Sequence, residues 1–178
     1  MSSFKCTIII VIISLSIFSP FVNSDNDQQI DKLCGATFAP TVCASCIKSK
    51  IGPNITDVNI IASMLQCADD DANKLYYDTR KIVDDILTDD TVRYALQFCR
   101  ALFNNVLMNG GKLRQLISDG KIDDAKSSID GFIFQKLEQC NQIIKQYGIT
   151  IPPKVFSGMF TVESDYKISF QLMSSVHV

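Results

Sequence analysis

The sequence predicts an all-α protein, an up-down four-helix bundle behind a short N-terminal α-hairpin, stapled by disulfides. Three observations carry that expectation. Apolar residues recur in alternating steps of three and four over four long segments, the rhythm that keeps one stripe of a helix facing its neighbours. Breaker residues separate those segments. The cysteines sit behind an apparent secretory leader, and on an oxidising route an even count of them reads as a disulfide framework.

The leader comes first. Lys5 gives a small basic region, Ile8 to Phe18 is almost unbroken apolar sequence, and Val22-Asn23-Ser24 offers cleavage positions. The apolar run is too short to cross about 30 Å of hydrocarbon. Residues 1–24 are therefore read as a signal peptide, with no membrane span expected after its removal. Cleavage after Ser24 discards Cys6, one of seven cysteines, and leaves six in one domain, residues 25–178. The formal charge of −2 and the scattered basic residues exclude a nucleic-acid footprint. Asn54-Ile55-Thr56 is a glycosylation sequon beside Pro53, in an expected exposed loop.

The stretch from Ile30 to Ile51 is too short and too broken for a bundle helix and suits two short helices folded back around Pro40. The first long helix carries Val58, Ile61, Leu65, Ala68, Ala72, Leu75, Thr79, Ile82 and Ile86, with Thr56 or Asp57 to cap its start. Asp69-Asp70-Asp71 falls within it. Adjacent helical residues point about 100° apart, so these three do not converge on one ion and are expected on a solvated face, as are Asp84-Asp85. Asp89 and Asp90 suit the start of the second long helix, striped by Val92, Ala95, Cys99, Leu102, Val106, Leu113 and Leu116. Gly110-Gly111 is expected to kink or break it, and Asp119-Gly120 to end it. The third runs from Ile122 through Ala125, Ile129, Ile133, Leu137, Cys140 and Ile144 to Tyr147, with Asp123-Asp124 in its first turn and Gly148 at its C-terminal left-handed position. Pro152-Pro153 forces a connection. The last helix carries Met159, Val162, Tyr166, Phe170, Met173 and Val176.

Cys34 and Cys43 bracket the hairpin, a segment too small to hold its shape by burial alone, so a covalent clip there makes physical sense. Cys99 and Cys140 lie on inward stripes of neighbouring helices. Bridging them would close a loop of roughly 40 residues, on the order of 4 kcal/mol in the chain-entropy treatment. Cys46 and Cys67 remain, as a third bridge or as two buried thiols, and spacing alone does not fix the pairing. Zinc is a poor fit, because Cys43 and Cys46 lack a second pair of ligands and the single histidine is the terminal His177. The same isolation of His177 argues against a nucleophile–histidine triad, so no catalytic residue, cofactor or metal is expected. Phe132, Phe134, Phe160 and Phe170 are available to line the cavity of a ligand carrier, but are read as filling a core that lacks Trp. With one histidine, the chain gains little charge between about pH 8 and 5 unless a carboxylate is shifted.

Cys34-Gly-Ala-Thr37-Phe-Ala-Pro40-Thr-Val-Cys43, the Ala95-Leu96 pair ahead of Cys99, and Gly120-Lys121-Ile122-Asp123-Asp124-Ala125 ahead of Cys140 together resemble the plant pectin methylesterase and invertase inhibitor family. The resemblance spans roughly Ile30 to Val176. It implies disulfides Cys34–Cys43 and Cys99–Cys140, a hairpin projecting from a bundle, and secretion to the apoplast or the vacuole. It further implies a protein inhibitor that occludes the active-site cleft of a cell-wall pectin methylesterase. Invertase (β-fructofuranosidase) is the alternative target, and a non-inhibitory binding or carrier protein the alternative class. Invertase-directed members tend to carry Pro-Lys-Phe where this chain has Gly120-Lys121-Ile122. Esterase-directed members often show Thr before the fourth cysteine and Asp two after it, where this chain has Gln139 and Gln142. Candidate interface residues are Phe38 in the hairpin and the turn Gly120, Lys121, Ile122, Asp123 and Asp124.

Overall fold

A computed structural model describes residues 23–53 and 55–176. The leader up to Val22, the sequon residue Asn54 and His177 lie outside the described residues. The chain forms α1 (Asn23–Gly35), α2 (Pro40–Lys50), α3 (Asp57–Asp84), α4 (Asp90–Ser118), α5 (Ile122–Ser128), a π-helical segment (Ile129–Phe134), α6 (Gln135–Tyr147) and α7 (Pro153–Ser175). The long helices α3, α4, α5–α6 and α7 make the bundle, with α3 packed between α4 and α7 and α4 against α6.

The Cys34–Cys43 motif explains the hairpin bend. Thr37 is buried and donates its hydroxyl to the Cys34 carbonyl at 2.8 Å, while its own N–H reaches the same oxygen at 2.9 Å. Pro40 then opens α2, where its fixed φ suits a first turn and its missing N–H is not needed. Three disulfides form, Cys34–Cys43, Cys46–Cys67 and Cys99–Cys140. The projecting hairpin implied by the resemblance is not what the structure has. The Cys46–Cys67 bridge and the Lys50–Asp70 ion pair at 2.6 Å lay α2 along α3, and Ile30, Cys34, Cys43 and Ile47 are buried there.

Caps stand where short polar side chains can accept orphan N–H groups. Thr56 accepts from Asn59 at 3.2 Å to start α3, and Asp89 accepts from Thr91 and Val92 to start α4. Gly120 and Gly148 take positive φ, 72° and 61°, at the ends of α4 and α6.

Four expectations need correction. First, α4 runs unbroken through Gly110-Gly111. Gly110 is buried against Asp69, and a Cβ built there would fall on the Asp69 carboxylate, so the glycine serves close approach rather than a kink. Second, Asp69 is not on a solvated face. It is buried, ion-paired with Arg114 of α4, and accepts the Tyr166 hydroxyl of α7 at 3.1 Å. Burial raises the Tyr166 phenol well above its ordinary value, with Arg114 opposing that shift. Third, Ile86 lies beyond the end of α3, fully exposed in the connection to α4. Fourth, Phe132, Phe134 and Phe170 are only partly buried and Phe160 is exposed. Phe103 and Tyr166 are the large aromatics that fill the core.

The π-helical segment has its own reason. Ala125, Ile129, Ile133 and Leu137 are all buried at successive steps of four. In a straight α-helix each such step overshoots one face by about 40°. A wider turn of i→i+5 bonds absorbs the drift and keeps the stripe on the core.

Candidate functional site

The structure brings the two predicted interface elements onto one face. Phe38 sits at the hairpin bend, about half exposed, and its backbone N–H donates to the Gln171 side-chain oxygen of α7 at 3.0 Å. That bond ties the bend to the wall of a groove of about 470 Å³ lined by Phe38, Asp130, Phe134, Lys167, Phe170 and Gln171. A second groove, of about 480 Å³, is lined by all of Gly120, Lys121, Ile122, Asp123 and Asp124, together with Lys126 and the end of α7. Lys126 stands between the two. Its ammonium lies 5.4 Å from the Phe170 ring centroid and 4.0 Å from Asp123.

The first groove continues along α6. Asp130 and Phe134 also border a shallower depression that includes Glu138, Gln139 and Gln142. Gln139 and Gln142 thus lie on the same face as Phe38. They are held there by local polar contacts, Lys136 to Gln139 at 3.2 Å and Gln142 to Glu138 at 3.4 Å.

The face has three chemical zones. Phe38, Phe134 and Phe170 give an apolar part, Asp130 and Lys167 line the same groove, and Asp123 and Asp124 of the turn line the neighbouring one. Apolar centres ringed by charge are the usual build of a protein-docking surface. Sequence reasoning missed Asp130, Lys167 and Gln171 and placed Phe134 and Phe170 in the core. The available signal was Phe134 itself. It stands one residue, about 100°, off the Ile133 stripe and so points toward the helix flank.

No protein-family model and no curated protein matches this sequence. Among solved structures, the chain is similar to the crystal structure of a pectin methylesterase inhibitor from Arabidopsis thaliana. The TM-score is 0.61 at 12% identity, covering 85% of this chain and 97% of that one. The likeness is one of fold. Three disulfides in a helical architecture are consistent with an extracellular protein.

Proposed function

We propose that this protein is a secreted inhibitor of a cell-wall pectin methylesterase and acts by steric occlusion. The fold likeness to a pectin methylesterase inhibitor over 97% of that chain is the observation that carries this reading. Residues 1–24 act as the signal peptide and residues 25–178 as the inhibitory domain. Phe38, Phe134 and Phe170 seat on an apolar part of the enzyme, and the Gly120 to Asp124 turn meets the edge of its cleft. The absence of Pro-Lys-Phe at Gly120-Lys121-Ile122 favours the esterase over invertase.

Inhibition of this type needs no chemistry from the inhibitor. It needs a surface already ordered before docking, so that little conformational entropy is lost on binding. Three disulfides and the Phe38–Gln171 bond supply that order. The test is a titration of the purified, oxidised protein against a plant pectin methylesterase at mildly acidic pH, following methyl-ester hydrolysis. The expected result is loss of activity with a one-to-one end point. Full activity at excess folded protein would refute the reading. Phe170→Ala, which removes the centre of the face, is expected to weaken inhibition by roughly 30-fold, the scale of an interface hot spot.

A further inference from the structure

Asp165 is a buried group that the docking face does not use. It lies on α7 in the seam with α3, 3% exposed, and one of its carboxylate oxygens has no hydrogen-bond partner. An ionised carboxylate buried without a donor is costly, and Asp71 on α3 is the charged neighbour that acts on it. Asp71 is half-buried at the edge of a cleft of about 350 Å³ between the two helices. Two ionised carboxylates have only acceptors, so a hydrogen bond between them requires one proton.

We propose that Asp71 and Asp165 form a proton-sharing carboxyl pair that locks α7 onto α3 in mildly acidic surroundings and loosens that seam when the proton is lost. Lys74 and Asp78 of α3 and Lys154 of α7 line the same cleft as Asp71, and the other charges nearby are engaged elsewhere. Arg114, reaching in from α4, is taken by Asp69, and Tyr166, next to Asp165 on α7, donates to that same Asp69. Ser169 donates to the Asp165 backbone carbonyl at 2.9 Å and leaves its carboxyl untouched. On the other elements packed against α7, Asp27 and Asp31 of α1 pair with Lys48, Lys126 of α5 lies over the Phe170 ring, and Asp130 of the π-helical segment borders the groove with Lys167.

Burial first, then the hydrogen bond and the charge of Asp71, push Asp165 up to about 7 from an ordinary 3.8. The folded state therefore holds a proton that the unfolded chain releases near pH 4. Stability is highest below that value, falls as pH rises toward about 7, and levels off above it. Inside the window each pH unit raises the unfolding constant about tenfold. Few other groups compete there, since ordinary carboxylates titrate near pH 4 and the chain has a single histidine.

The experiment is urea unfolding of the purified, oxidised protein at pH 5, 6, 7 and 8, beside Asp165→Asn, which keeps the size of the side chain and carries no titrating proton. The unfolding constant of the unsubstituted protein is expected to rise about tenfold from pH 5 to 6, to rise less steeply toward 7, and to change little by 8. The variant is expected to be flat over that range. Parallel pH dependences in the two proteins would overturn the proposal. Infrared difference spectra of the folded, unsubstituted protein give a second readout should Asp165→Asn fail to fold. A protonated-carboxyl band present at pH 6 and gone by pH 8 supports the pair, and its absence at pH 6 overturns it.

Discussion

Gly110 and Gly111 are adjacent in α4, yet their replacement by alanine should move stability in opposite directions. In a helix interior, Ala is better than Gly by about 1 kcal/mol. Gly111 faces open space, so Gly111→Ala should realise that gain. At Gly110 the added methyl would land on the Asp69 carboxylate. Overpacking of this kind costs about 1–3 kcal/mol. Displacing Asp69 also breaks a buried ion pair, worth about 3–5 kcal/mol when one charge is left uncompensated. The Arg114 side chain is 35% exposed and can turn to water, which puts that loss at the lower end. Set against the helix-propensity gain, Gly110→Ala should destabilise by about 3 kcal/mol. For a chain of this size that is a fall in Tm of roughly 6–12 °C, against a rise of roughly 2–4 °C for Gly111→Ala. Differential scanning calorimetry of both variants decides the matter. Equal and stabilising shifts would mean that Asp69 is not seated against Gly110, and the account of the buried node would fail.

Two further expectations concern the hairpin. Replacing both Cys46 and Cys67 by Ser removes a bridge across 21 residues, about 3 kcal/mol in the chain-entropy treatment. Native-state hydrogen exchange should quicken in α2 while α4 and α6, still joined by Cys99–Cys140, keep their protection. Thr37→Val removes the hydroxyl donor to Cys34 but leaves that carbonyl its backbone N–H partner, so the loss should be about 1 kcal/mol, read as a lower urea midpoint at unchanged slope.

The bundle was legible because its signals are local. Leu65, Ala68, Ala72 and Leu75 announce a buried stripe within a few turns, and Thr56, Asp89 and Gly148 mark helix ends by chemistry that acts over one turn. The buried polar node was not legible, because its parts come from three helices. Asp69 beside Asp70 and Asp71 looks like one of a solvated run, and only Arg114 and Tyr166 make its burial tolerable. A hint was present in Gly110, which stands four after Val106 and three before Leu113 on the buried stripe. A glycine at a core position signals that something from another element comes close. The candidate face was half legible. Phe38 and the Gly120 to Asp124 turn are exposed where turn chemistry puts them, but the groove joining them depends on how α7 lies across the π-helical segment, which no local pattern records.

The geometry of α7 links the buried node, the carboxyl pair and the docking face. Phe170 follows Tyr166 by one helical turn, and Lys167 and Gln171 flank the same groove. Tyr166 anchors that helix to Asp69 of α3, and Asp165, one residue earlier, is buried in the same seam. Contacts made by one side of a helix fix the position of the other, since a packed helix moves as a body rather than residue by residue. Whatever holds α7 on α3 therefore also holds the wall of the groove. The groove's opposite wall is fixed independently, through Cys99–Cys140 on α6 and through the Cys34–Cys43 loop that carries Phe38. Of the ties around the face, the disulfides are indifferent to pH in the physiological range, whereas the α3–α7 seam buries Asp165, the group proposed above to exchange its proton there. A surface built in this way stays covalently set on one side and is tunable by protons on the other.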